Sequence, residues 1–249
     1  MLVMKKLTLA ATFLIFGSAS SIAADMAVAP YPAPLPQPLL TWTGCYVGFQ
    51  GGWKWGTNRV NYGQNVLGFV PGTAATTNYD FDGGLAGGTV GCNYQTGNLV
   101  FGIEGDAAWT NANGESSETP FPAMHIRTEE NWLATIRGRI GYTFSPQWLV
   151  YVTAGAAASG VTLKNFLPGS TVINTSQDNT IWGWTVGGGF EYLLTPNWTV
   201  KVEGLYIEYE RSSYFAFNNP VSGAALSLKL TEGIARVGLN YRFNGPYAY

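Results

Sequence analysis

Charge is scarce in this chain. Asp, Glu, Lys and Arg make up 11% of its 249 residues, where a soluble domain carries about 25%. An ordinary water-facing surface does not fit that figure. Long apolar runs are missing too. Outside the extreme N-terminus no stretch reaches the ~18 apolar residues that mark a transmembrane helix. Histidine occurs once, at His125, and cysteine twice, at Cys45 and Cys92. No Cys/His cluster has metal-site spacing, so neither a metal nor a cofactor is expected. Basic residues form no stripe, which disfavours nucleic acid as a partner.

Glycine and aromatics are plentiful: 32 Gly, 9 Trp and 14 Tyr. That balance points to strands, turns and membrane interfaces rather than helices. The N-terminus carries the one segment of different character. Lys5 and Lys6 precede an apolar stretch, Leu7 to Phe16, too short to cross a bilayer, and Ser21-Ile22-Ala23-Ala24 offers a cleavage site after Ala23 or Ala24. Residues 1–24 therefore read as an export signal rather than an uncleaved anchor. Its removal leaves eleven basic against fifteen acidic residues, a net charge of −4. Both cysteines belong to the exported chain, where oxidation is permitted. Residues 25–41 hold Tyr31-Pro32-Ala33-Pro34-Leu35-Pro36-Gln37-Pro38, a density that favours extended polyproline geometry. This reads as a periplasmic lead-in.

From Trp42 to Tyr249 the hydrophobic period is two. Trp198-Val200-Val202-Gly204-Tyr206 alternates with Thr199-Lys201-Glu203. Ile136-Gly138-Ile140-Tyr142 alternates with Arg137-Arg139, and Val237-Leu239-Tyr241-Phe243 with Arg236-Asn240-Arg242. One face of each strand is apolar and the other carries charge. Eight such segments are expected, roughly over 43–54, 81–94, 99–108, 131–144, 148–159, 181–192, 198–209 and 226–243. The last changes phase, since Leu226-Leu228-Leu230 opposes Ala235 onward. A bulge or a shift out of the membrane near Thr231–Gly233 reconciles the two.

Short connections (95–98, 145–147, 195–197) alternate with long polar ones (55–80, 110–130, 160–180, 210–225). That is the pattern of an outer-membrane barrel with periplasmic turns and extracellular loops. Threading eight strands from a periplasmic N-terminus puts Trp42, Trp148 and Trp198 at periplasmic strand ends. Trp53, Trp55, Trp109, Trp132, Trp182 and Trp184 then fall at outer ends. Tryptophan favours such interfaces, so these residues form the expected girdle. Hydrocarbon leaves exposed N–H and C=O groups unsatisfied, so the sheet must close. The fold class expected is all-β, an eight-stranded antiparallel transmembrane up-and-down barrel.

Trp42-Thr43-Gly44-Cys45-Tyr46-Val47-Gly48 resembles the opening strand of the small immunogenic outer-membrane proteins of alphaproteobacteria, a porin-like family with an OmpA-type barrel. Thr135–Tyr142, Gly183–Tyr192, Lys201-Val202-Glu203 and Arg236–Phe243 extend the likeness, as do the Ala23-Ala24-Asp25-Met26 junction and the Pro-rich lead-in. The resemblance implies an eight-stranded, abundant, surface-exposed barrel with no catalytic residues. It covers nearly all the mature chain. Two features depart from the pattern: Asn244–Tyr249 follows Phe243, leaving Phe243 or Tyr249 as the terminal aromatic that the barrel-assembly machinery reads, and the family generally lacks the two cysteines.

The inward charges are Glu104, Asp106, Arg137, Arg139, Glu191, Lys201, Glu203, Arg236 and Arg242. They serve either as a conduit for small polar solutes or as a plug of paired charges. Eight strands leave little bore, which favours the plug, with Glu104, Arg137, Arg139, Glu203 and Arg236 in one network. Cys45 and Cys92 share a face near adjacent strand ends, where either a disulfide or two small apolar side chains fits. His125 falls in a long loop with no catalytic company, so no enzyme is expected. Glu115, Glu118, Glu129 and Glu130 make that loop acidic. Gly83-Gly84, Gly87-Gly88 and Gly187-Gly188-Gly189 precede no helix and are not phosphate cradles. The expected partners are outer-membrane lipid and lipopolysaccharide, with the barrel-assembly machinery. The expected role is a structural, surface-exposed envelope barrel, the alternative a small low-conductance porin. Any envelope tether would use the Pro-rich segment.

Overall fold

The computed structural model describes residues 40–62, 74, 76, 78–117, 123–169, 174–215 and 225–243. The signal segment, nearly all of the Pro-rich lead-in and the C-terminal 244–249 lie outside them. Every regular element described is a strand: β1 (Gly44–Tyr62), β2 (Tyr79–Thr96), β3 (Leu99–Thr110), β4 (Asn113–Ser117), β5 (His125–Ser145), β6 (Trp148–Phe166), β7 (Asn174–Thr195), β8 (Trp198–Tyr209), β9 (Ser212–Phe215) and β10 (Ala225–Arg242).

Eight long antiparallel strands form a closed ring. The order runs β1-β10-β8-β7-β6-β5-β3-β2, and β2 pairs back onto β1. Two short strands extend it: β4 pairs with β5 and β9 with β10. Thus β3–β4 act as one strand with a step at Asn111–Ala112. The side chain of Asn111 bridges that step, accepting a 2.8 Å hydrogen bond from the Gly84 amide. The eight-stranded expectation holds.

Three two-residue turns, Gly97-Asn98, Pro146-Gln147 and Pro196-Asn197, gather at one end of the ring, here called the turn end. Gly97 has φ 58°, a left-handed conformation that tight hairpins require and glycine adopts without a Cβ penalty. At the opposite loop end the strands run well past the expected limits. Residues expected as loop, such as 56–62, 125–130, 160–166 and 174–180, continue the ladders.

The reason lies in which face is apolar. Between the two ends, the outward side chains are apolar: Phe49, Val90, Ile103, Ile136, Val152, Val202 and Val237 are all exposed. Towards the loop end the pattern inverts. Val60, Phe81, Ile126, Leu163, Ile207, Leu228 and Leu230 point inward and are buried, while Thr57, Arg59 and Lys229 face outward. Alternation persists with opposite phase, which a search for one phase reads as loop. The phase change in β10 involves no bulge: the β1–β10 register runs unbroken from Leu226 to Arg242. Of the two explanations offered by the sequence, the shift out of the apolar belt is the one observed. Register shifts occur instead at 130/132, 143/145 and 193/195.

Candidate functional site

The interior of the ring is stratified. At the turn end Trp42, Val100, Leu149, Tyr151 and Leu193 form a small apolar plug, with Leu40 packed on it. Trp42 is a correction to the girdle. It is 1% exposed, because it shares the even-numbered, inward phase of Tyr46 and Gln50. Its amide donates to Gln95 Oε1 at 2.6 Å, and the Arg242 guanidinium lies 5.4 Å from its ring centre. Arg242 also donates to the Thr41 carbonyl. It joins no salt bridge among the described residues, so it stands apart from the other inward charges.

Next comes a charged layer. Arg137 donates to Glu203 (2.8 Å), Glu104 (2.5 Å) and Asp106 (2.8 Å). Arg236 holds Asp106 at 2.9 Å and Glu203 at 2.6 Å. Arg139 reaches Glu191 at 3.1 Å and Glu104 at 3.6 Å, its guanidinium between the rings of Tyr46 and Tyr151. Lys201 donates to both oxygens of Glu104 at 2.8 Å. Four acids thus meet four bases, and all eight side chains are essentially solvent-free. Such burial is tolerable because each charge is paired and hydrogen-bonded.

The geometry of Glu104 and Lys201 decides what the layer can do. β3 and β8 are four places apart in either direction round the ring, so this 2.8 Å contact spans a full diameter. Arg137–Glu203 and Arg236–Asp106 cross it as chords.

The sequence reading missed several inward groups. Tyr46 donates to Glu104 at 2.5 Å and Tyr151 to Glu203 at 3.1 Å; their parity with neighbouring inward residues was the available signal. A second ionic group sits within the apolar core towards the loop end: Lys54 contacts Glu130 at 2.5 Å and Glu232 at 2.7 Å. Glu130 was expected in an acidic loop but lies on β5. The register shift at Asn131 reverses parity there and hides its inward direction. Glu115 and Glu129 are likewise on strands, on the outer wall, and Glu118 lies outside the described residues. His125 is on β5, not in a loop. It pairs with Glu115 at 2.8 Å and stacks on Phe166.

On the outer wall, Trp148 and Trp198 mark the turn end, where Trp148 meets Tyr192 and Trp198 meets Tyr241. Trp53, Trp55, Trp109, Trp132, Trp182 and Trp184 are exposed towards the loop end. Cys45 and Cys92 are directly opposed across β1 and β2 and joined by a disulfide.

A closed ring with an apolar belt between two rows of aromatics is the architecture of a barrel set in lipid. The sequence pattern of the outer membrane protein beta-barrel domain matches residues 12–243. The chain belongs to the outer membrane protein beta-barrel family. It is similar to the 31 kDa outer-membrane immunogenic protein of Brucella melitensis, with 32% identity over 96% of this chain and 100% of that one. It is also similar to the 25 kDa outer-membrane immunogenic protein of Brucella canis, with 29% identity over 96% and 99%. The solved outer membrane protein OprG of Pseudomonas aeruginosa shares its fold, with a TM-score of 0.53, 13% identity and coverage of 83% and 99%. Membership in this beta-barrel family places the chain in the outer membrane.

Proposed function

We propose that this protein is a structural, surface-exposed barrel of the envelope whose interior is an electrostatic plug rather than a conduit. The Glu104–Lys201 contact across the diameter carries this reading. A solute passing that level would have to separate a buried pair, and breaking such a pair costs about 3–5 kcal/mol. The buried apolar clusters around Trp42 and around Val60, Ile126 and Leu228 support the same reading.

In this reading the turn end and N-terminus face the periplasm and the strand extensions face outward, as short turns and long loops are arranged in such barrels. The extensions and their loops would then be what the cell presents to its surroundings, which accords with relatives named as immunogenic. The partners are membrane lipid and lipopolysaccharide around the belt, and the assembly machinery that inserts it. No catalysis is proposed: His125 is occupied by Glu115 and Phe166 on the outer wall.

Planar-bilayer recording of the refolded protein tests the plug. A silent membrane is expected. Steady, reproducible openings would replace this reading with a low-conductance porin.

A further inference from the structure

The second ionic group does not balance. Lys54 is the only cation there among the described residues, and it faces two carboxyls, Glu130 and Glu232, with all three side chains fully shielded from solvent. The neighbours are neutral. Ser159 donates to Glu130 at 2.7 Å, Tyr209 donates to Glu232 at 3.0 Å, and the Phe81 ring lies over the ammonium. Around them pack Ile207, Leu205, Leu133 and Ile234. The cations of the charged layer are each engaged with that layer's own carboxylates. A lone excess negative charge in such surroundings is expensive, and a buried acid in that position takes up a proton instead.

We propose that Lys54, Glu130 and Glu232 form a proton-binding site that takes up one proton, so that the group is neutral as a whole. The site lies where the apolar belt ends: Glu232 follows Gly233, the partner of Trp55, on the loop side, and Glu130 lies beyond Trp132.

The consequence is a pH-dependent lock on the extension. Glu130 is on β5 and Glu232 on β10, with Lys54 on β1 between them in space, so the group ties separate parts of the ring together. An acid that keeps its proton in the fold and loses it on unfolding makes the folded state bind more protons. Stability then falls as pH rises from the ordinary carboxylate value towards the raised one, and levels off above it. Loss of the proton leaves two like charges facing each other within the apolar core.

Hydrogen exchange of the full protein in lipid vesicles, read on the β5 and β10 segments beyond the girdle and corrected for intrinsic rates, measures this. Protection is expected to fall by up to tenfold per pH unit as pH rises above the ordinary carboxylate range. Glu232→Gln and Glu130→Gln each remove the excess charge and are both expected to flatten that slope. The double variant leaves Lys54 unpartnered, and its slope is expected to reverse, since a buried lysine sheds its proton as pH rises. Infrared difference spectra across the same range supply a second readout, a protonated-carboxyl band present in the wild type and absent in the double variant. A flat wild-type profile, single variants that keep the wild-type slope, or no carboxyl band would overturn the proposal.

Discussion

Arg137 holds three carboxylates at once, Glu104, Asp106 and Glu203, and its planar fork is suited to that in a way a lysine ammonium is not. Arg137→Ala leaves those acids with fewer cations inside a dry layer. It is expected to lower unfolding stability by about 3–5 kcal/mol, measured by urea denaturation in lipid vesicles. The same variant should remain silent in bilayers, because Lys201 still bridges to Glu104. Unchanged stability would remove the charged layer from any structural role. Trp42 teaches a different lesson at this scale. Its type suggested an interface anchor, but parity governs direction, and the inward side was the one its position dictated.

The β1–β2 pair shows how an element is fixed from both faces. On the outside the disulfide joins residues with a sequence separation of 47. Closing a loop of that length limits the unfolded chain by about 4 kcal/mol in the chain-entropy view. Replacing both cysteines by serine should therefore lower stability by roughly 2–4 kcal/mol in the same assay. Intact mass with and without reductant checks that the bond exists in the purified protein; a thiol-only mass would contradict the structure. On the inside, curvature of so small a ring needs missing side chains. A Cβ on Gly155 of β6 would collide with the Ile136 carbonyl oxygen and the Arg137 backbone on β5. Those atoms belong to the ladder and cannot move aside. Gly155→Val is expected to reduce the folded yield on insertion into vesicles, with at least the 1–3 kcal/mol penalty of an overpacked site. A wild-type yield would show that the wall yields more than its geometry suggests.

At the scale of the whole molecule, one chain runs two solvent regimes in sequence. In the belt, lipid selects apolar residues outside and leaves the charges within. In the extension, apolar residues retreat inward and the exterior turns polar. The boundary can be mapped with single charges. Val237→Arg, in the middle of the belt, should destabilise by about 2–4 kcal/mol, whereas Thr231→Arg, beyond Trp55, should change stability by no more than about 1 kcal/mol. Equal effects at both sites would place the lipid boundary elsewhere. Strict alternation, the turn residues and the tryptophan spacing made the ring and most of its inward charges legible beforehand. The extension was not legible, because its alternation has the opposite phase and its hydrophobic residues, such as Val60 and Ile126, sit among polar ones.

The sequence by itself determined that strands would carry one apolar and one ionic face, since a period of two leaves a side chain only two directions. It also determined closure, because lipid forbids an open edge. The tertiary structure alone decided which acid meets which base: Glu104 and Lys201 are far apart in the chain and come together only where the ring places β3 opposite β8. It likewise decided the surplus carboxyl beside Lys54, since a register shift at Asn131 turns Glu130 inward and no local pattern announces it.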